Sequence, residues 1–219
     1  LRESLETIRQ LDDPANESRS LLALGNTLVE QRRWDEAAAA YDDSLAIARK
    51  LGRPHVIGMP LANLGNLDLL RGKPDTGKPM LEEARSLFEQ SGFRVYERDC
   101  RRMIAKAERI LGRPDVALEI CRTLLREPNE EVPMVWSALL ECAYDYRALG
   151  DLEVAARLLG VVSSLWETTS TKAFGVEQQA FDDEVEALKK KMGSEAFETA
   201  YALGRRLDSG SWAKLVGLS

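Results

Sequence analysis

The chain has 219 residues, of which 44% are apolar and 30% are charged, and its net charge is −6. This acidic balance excludes general nucleic-acid binding, because contacts to phosphates depend on an excess of Lys and Arg. The sequence contains no apolar run near the ~20 residues that a membrane-spanning helix needs. The apolar and charged fractions suit a folded protein with a long, exposed helical surface.

A register that repeats about every 40 residues dominates the sequence. A pair ending in a small or apolar residue recurs at spacings of 40, 40 and 38: Leu24-Gly25, Leu64-Gly65, Ile104-Ala105 and Cys142-Ala143. A turn follows each pair: Arg32-Arg33, Gly72-Lys73, Gly112-Arg113 and Gly150-Asp151. A fixed period of this size indicates a helical hairpin that buries its apolar face only against its neighbours. We therefore predict a single solenoid over residues 1–219 that functions by binding.

The elements follow in chain order from apolar spacing and turn residues. Residues 1–12 are predicted to be the second helix of a truncated repeat. Four repeats are predicted at 17–53, 56–91, 94–128 and 133–168, with a loop at Thr168–Thr171 and two capping helices within 176–207. Because the chain starts at Leu1 rather than Met, we expect a piece of a longer protein. Removal of an initiator Met by processing is the alternative.

The second repeat contains two residues that disfavour a helix. Gly77 occupies the small-residue position, and Pro79 lies inside the predicted helix, where it removes a backbone hydrogen bond. The segment from Gly72 to Pro79 nearly matches a phosphate-binding loop, but Pro79 replaces the Ser or Thr that would hold Mg²⁺, and a helix precedes it where a strand is required. We expect the first turns of this helix to be weakly protected, and we expect no nucleotide site.

No catalytic or metal site is predicted, and no cofactor is expected. His55 is the only histidine and is expected in a loop after Pro54, so it has no second histidine for nucleophilic catalysis. The cysteines Cys100, Cys121 and Cys142 are 21 residues apart and lack a CxxC pair, which fits neither zinc nor a disulfide framework. Reduced core thiols indicate the cytoplasm.

The repeated units resemble tetratricopeptide repeats, on the residues Leu24-Gly25-Asn26, Ala37 and Tyr41, then Leu64-Gly65-Asn66, Gly72 and Ala84. The resemblance implies an all-α, right-handed superhelical solenoid of antiparallel helix pairs with a C-terminal capping helix pair. The 40-residue period exceeds the 34 residues of the common form. Further departures are the absent Trp on the first helix, Gly77 in place of Ala, and Arg101 at an apolar position.

The C-terminal third resembles the repeat region of bacterial STAND-type, LuxR-type and SARP-type regulators. The residues that carry this second resemblance are Ala155 to Gly160, Met192 to Phe197, and Ala200 to Arg205. It implies a sensor or interaction arm of a larger signalling or transcriptional regulator. The alternative is a scaffold that self-associates or packs on an adjoining NTPase module.

The tetratricopeptide resemblance implies a concave face lined by the first helix of each repeat. Superposing the repeats places eight candidate binding residues there: Asn26, Asn63, Asn66, Arg102, Lys106, Arg109, Tyr144 and Arg147. Amides can bond a peptide backbone, and guanidinium groups bind carboxylate or phosphate in a fork. We therefore expect a protein or peptide partner, acidic in character, or an anionic small molecule, and oligomers are possible. Alternatively, the basic residues are solvated or paired with neighbouring acids.

Overall fold

A computed structural model describes residues 13–127, 132–169 and 175–218. Within these residues every regular element is an α-helix, which confirms the predicted all-α class. The helices are α1 (Pro14–Glu30), α2 (Trp34–Leu51), α3 (Pro54–Leu70), α4 (Pro74–Gln90), α5 (Arg94–Ile110), α6 (Pro114–Arg126), α7 (Val132–Leu149), α8 (Leu152–Thr169), α9 (Gly175–Met192), α10 (Ser194–Gly204) and α11 (Ser209–Leu215). The prediction for residues 1–12 lies outside the described residues.

The 40-residue period arises from two helices and two short turns. Helices α1 to α4 contain 17 or 18 residues each. The α3–α4 turn bends at Gly72 with φ +70°, a left-handed conformation that glycine adopts without strain. Arg32 adopts the same conformation in the α1–α2 turn, with φ 57°. Proline begins α1, α3 and α4, where its missing N–H leaves no helical bond unmade.

Several helix limits differ from the predicted ones. Helix α3 begins at Pro54, so His55 lies in its first turn and the expectation of a loop there is wrong. The physical reason is that proline is favoured in the first turn of a helix, where its missing N–H breaks no helical hydrogen bond. Helix α1 begins at Pro14, three residues before the predicted repeat, and α8 continues to Thr169 through residues assigned to a loop.

Residue contacts divide the chain into two compact units, Leu1–Ala107 and Glu108–Ser219, called unit 1 and unit 2 below. In unit 1 the small residues allow close packing of the paired helices. A Cβ on Gly25 would lie 2.3 Å from the Tyr41 ring, and one on Gly77 would lie 2.6 Å from the Gly65 carbonyl oxygen. The glycine at the small-residue position of α4 is therefore needed for close approach to α3. The single solenoid stays a prediction.

Both α3 and α4 contain an internal proline, Pro60 and Pro79. Helix α4 nevertheless runs through Pro79 to Gln90 and buries Leu81, Ala84 and Phe88. The segment with the phosphate-loop-like spacing is thus an inter-helix turn followed by a helix. The expected weak protection of its first turns stays a prediction.

In unit 2, α8 and α10 cross with their backbones in contact. A Cβ on Gly204 would lie 1.9 Å from the Arg157 carbonyl oxygen, and one on Gly160 would lie 2.2 Å from the Tyr201 carbonyl oxygen. These glycines belong to the sequence motifs Ala155 to Gly160 and Ala200 to Arg205. Their physical role in this chain is to permit this crossing.

The short helix α11 was absent from the prediction. The residue after it, Val216, is fully buried, and its carbonyl oxygen accepts a 2.7 Å hydrogen bond from Arg122 Nε. The same guanidinium donates to the Tyr146 hydroxyl at 3.0 Å. Arg122 on α6 therefore links the C-terminal segment to α7, and the Tyr146 hydroxyl adds a 3.4 Å hydrogen bond to the Leu215 carbonyl oxygen.

Candidate functional site

Two of the predicted asparagines lie together on neighbouring helices of unit 1. Asn63 on α3 donates from Nδ2 to Asn26 Oδ1 on α1 at 3.3 Å. The Tyr41 hydroxyl donates to the same oxygen at 2.7 Å. Burial raises the pKa of Tyr41 well above its usual value, so the hydroxyl remains a donor at neutral pH. The Asn26 amide is thereby held in one orientation.

The remaining polar atoms of this group are open to a ligand. Within the described residues, Asn26 Nδ2, Asn63 Oδ1 and the Asn66 amide make no hydrogen bond. Asn26 is exposed, and Asn63 and Asn66 are half-buried. The three asparagines, called the asparagine row below, therefore present both donors and acceptors.

The predicted basic residues are largely engaged inside the protein. Arg102 donates to Asp99 at 2.8 Å, and its side chain is 15% exposed. Lys106 is half-buried and also has an interaction partner. Arg102 and Lys106 lie in unit 1, whereas Arg109 lies in unit 2. Arg102 is thus paired with a neighbouring acid, which is the alternative that the sequence left open for the basic residues.

Arg109 is the centre of a buried charged group, the Arg109 cluster, formed with Glu141, Tyr144 and Asp145 of α7. Its guanidinium donates to Glu141 at 2.8 Å and to Asp145 at 2.9 Å. It also lies 4.9 Å from the centre of the Tyr144 ring. The Asp145 side chain is fully buried and that of Glu141 is 6% exposed. Arg109 is therefore committed to internal partners.

The last predicted residue, Arg147, belongs to a second buried pair. Its Nε donates to Glu184 of α9 at 2.5 Å. Burial raises the pKa of Glu184, and the neighbouring Arg147 opposes that shift. Arg109 and Arg147 thus face three carboxylates, those of Glu141, Asp145 and Glu184.

The electrostatics of the Arg109 cluster follow from this excess of carboxylate. Burial raises the pKa of Asp145 to about 7, although Arg109 works in the opposite direction. Burial by itself would lower the pKa of Arg109, but the two carboxylates raise it above its usual value. Within the described part of the chain, Asp145 Oδ2 and the Tyr144 hydroxyl are buried without a hydrogen-bond partner. The cluster can take up a proton near neutral pH.

The carboxylates Glu141, Asp145 and Glu184 were missed by sequence reasoning. The available signal was a charged residue close to apolar positions of the same helix, as at Asp145, which lies three residues after Cys142 and three before Ala148. In the described ranges, no three His, Cys, Asp or Glu side chains come together as a metal site. All three cysteines are free and buried, and burial raises the pKa of Cys100 to about 12. No described helix is both long and apolar enough to cross a membrane.

Comparison with known proteins identifies the architecture. A tetratricopeptide repeat family model matches residues 18–56. Among 41 matching chains of solved structures is a kinesin-light-chain-like protein from Podosopora anserina with nearly identical TPR-like repeats. It aligns with a TM-score of 0.60 at 18% identity, over 93% of this chain and 98% of that one. No curated protein matches the sequence. The fold is thus a tetratricopeptide-type arrangement of antiparallel helix pairs.

Proposed function

We propose that this chain is a non-catalytic repeat domain that binds an extended protein segment along the first helices of unit 1. The observation that carries the proposal is the asparagine row, in which Asn26 is held by Tyr41 and by Asn63. Tetratricopeptide repeats generally bind proteins, and the match at residues 18–56 covers the first member of the row. The proposal therefore rests on a matched repeat and a preorganised group of amides.

Asparagine suits this role because one side chain can satisfy both groups of a peptide unit. An extended segment presents N–H and C=O groups at regular intervals, and any unpaired group buried on binding weakens the complex. The open atoms Asn26 Nδ2 and Asn63 Oδ1 supply one donor and one acceptor on neighbouring helices. Because Arg102 and Arg109 are paired internally, we assign the groove contact to amides rather than to the basic residues.

We also propose that the domain serves as the interaction arm of a bacterial signalling or transcriptional regulator in the cytoplasm. The resemblance of the C-terminal motifs supports the regulator, and the three free, buried cysteines support a reducing compartment. The full reading frame of the gene would test this assignment, because it shows which domains adjoin the repeats. An adjoining NTPase or DNA-binding domain is expected, and a free-standing repeat protein would contradict it.

The groove proposal is tested with a displayed library of random peptides. The selected peptide should bind the Asn63→Ala/Asn66→Ala variant about 30-fold more weakly, because two hydrogen bonds are lost and each contributes about 1 kcal/mol. The matched control is Gln179→Ala, which removes an exposed amide of unit 2. Circular dichroism checks that each variant is folded. Equal affinity of wild type and the double variant would refute the groove.

A further inference from the structure

A row of aromatic rings reaches from the core of unit 1 to its surface. Phe88 of α4 is 1% exposed, and its ring stacks on Tyr96 of α5 with centres 5.2 Å apart. The ring centres of Tyr96 and Phe93 are 6.2 Å apart. The Phe93 ring stacks on the His55 ring of α3, with centres 4.6 Å apart and an interplanar angle of 9°. The buried ring of Phe88 therefore anchors the outer rings in fixed positions.

The outer part of this row is unusually exposed for apolar residues. Phe93 is 37% exposed, Val95 45% and Tyr96 41%, within four consecutive positions. Single exposed apolar residues are ordinary, but a contiguous group of large ones marks an interaction surface. Aromatic residues in particular supply much of the energy of protein interfaces.

Two guanidinium groups flank the exposed rings. Arg53 lies two residues before His55, and Arg94 directly follows Phe93. Both are exposed, and neither forms an ion pair with a residue in the described part of the chain. The sequence from 44 to 67 contains no Asp or Glu but includes Arg49, Lys50 and Arg53. Two exposed guanidinium groups without an ion pair among the described residues therefore adjoin the rings, although the chain is acidic as a whole.

The nearest described acid on α5 does not neutralise this charge. Glu97 lies 3.7 Å from Arg85 and 3.9 Å from Arg101. Its side chain is 16% exposed and is therefore directed at its own partners. Arg53 and Arg94 remain available to an incoming carboxylate.

The site is separate from the asparagine row. His55 precedes Asn63 by eight residues on the same helix, which corresponds to about 12 Å along the helix axis. The exposed rings lie where the α2–α3 and α4–α5 turns meet, whereas Asn63 and Asn66 lie further along α3 towards its C-terminus and Asn26 lies on α1. A ligand confined to one of these surfaces would leave the other open.

We propose that the turn-end patch, formed by Arg53, His55, Phe93, Arg94 and Tyr96, docks an acidic segment of a partner protein that carries an aromatic or aliphatic side chain. The apolar side chain lies on the Phe93 and Tyr96 rings, and flanking carboxylates accept forked hydrogen bonds from the guanidinium groups. Charge complementarity selects the acidic partner. The same contacts do not suit a nucleic acid, because two guanidinium groups neutralise only two phosphates of its continuous anionic backbone.

The test uses a fluorescein-labelled glutamate-rich peptide with one central phenylalanine, titrated with the full chain and followed by fluorescence anisotropy. Phe93→Ala and the double reversal Arg53→Glu/Arg94→Glu should each weaken binding by about tenfold or more. Added salt should weaken binding to wild type, whereas it should strengthen the residual binding of the reversed variant, because salt screens the new repulsion between like charges. The matched controls are Leu149→Ala, which removes a 48% exposed apolar residue, and Arg206→Glu, which reverses an exposed charge, both in unit 2.

Each other outcome overturns the proposal in a recognisable way. Binding that depends on Asn63 and not on Phe93 assigns the peptide to the asparagine row. Equal losses in Leu149→Ala and Phe93→Ala indicate non-specific apolar contact. Preferential binding of a single-stranded oligonucleotide, or no binding of the acidic peptide, rules out an acidic protein segment as the occupant. Because the patch variants leave the asparagines intact, failure of this test leaves the groove proposal standing.

Discussion

Replacing Asp145 with Asn should change how the stability of unit 2 depends on pH. The pKa of Asp145 is raised from 3.8 to about 7 in the folded protein. Folding therefore takes up a proton between these two values. The contribution of Asp145 to stability is complete below its unfolded pKa and is lost as the pH rises through its folded pKa. Asn keeps the shape of the side chain and cannot ionise.

The size of the effect follows from the shift. Each pKa unit corresponds to about 1.4 kcal/mol, so a shift of about three units corresponds to about 4 kcal/mol over the whole window. Between about pH 5 and pH 8 the contribution of Asp145 to the free energy of unfolding should fall by about 3 kcal/mol. The charged and titratable groups around Asp145 are Arg109 on α5, Glu141 on its own helix and Cys121 on α6. All of them are present in both proteins, so their own titration largely cancels in the comparison.

The assay is urea unfolding followed by tryptophan fluorescence. Trp136, Trp166 and Trp212 lie in unit 2, so the signal reports mainly on that unit. On going from about pH 5 to pH 8, the free energy of unfolding of Asp145→Asn should rise by about 3 kcal/mol relative to that of wild type. The control Asp182→Asn, which removes an exposed carboxylate of α9, should follow wild type. Identical pH dependence of Asp145→Asn and wild type would refute the reasoning.

Three further changes test the packing. Arg109→Met leaves two buried carboxylates uncompensated and should lower the free energy of unfolding by about 3–5 kcal/mol; a loss under about 1 kcal/mol in the same urea assay contradicts this. Gly204→Ala places a Cβ 1.9 Å from a backbone oxygen, so its free energy of unfolding should fall by about 2 kcal/mol or more. The control is Gly210→Ala, whose Cβ would lie 3.8 Å from the nearest atom. Its free energy of unfolding should change by at most about 0.5 kcal/mol. Pro79→Ala should raise both stability and hydrogen-exchange protection in the first turns of α4. Unchanged or lower stability of that variant would show that the helix is not strained.

Repetition made the helices predictable from the sequence. The Leu24-Gly25 and Leu64-Gly65 pairs recur because a residue without a side chain must face Tyr41 in one repeat and Leu81 in the next. The need for a small residue arises between two helices that are adjacent in the chain. It therefore appears in the sequence as a glycine at a fixed period. The prediction of a loop at His55 failed, because a proline after a turn can also begin the next helix, as Pro54 does here.

The ion pairs could not be predicted in the same way. Arg109 and Asp145 are 36 residues apart, and many other acids lie at comparable separations. Partner choice depends on the rotation of each helix about its axis and on burial, neither of which a local spacing specifies. Asp99, by contrast, lies three residues before Arg102 on the same helix, so spacing alone made that pair accessible.

The placement of the asparagines has a consequence for lengthening the chain. Asn66 stands one period after Asn26, and Met103 stands one period after Asn63. Asn66 therefore corresponds to Asn26 in the repeat. The residue that corresponds to its partner Asn63 is Met103, which has a thioether in place of the amide. A chain carrying a second copy of residues 54–93, inserted after Phe93, would place Asn63 of that copy in the register of Met103. The amide link now seen between α1 and α3 would then recur, and the row would grow by one whole period with each added copy.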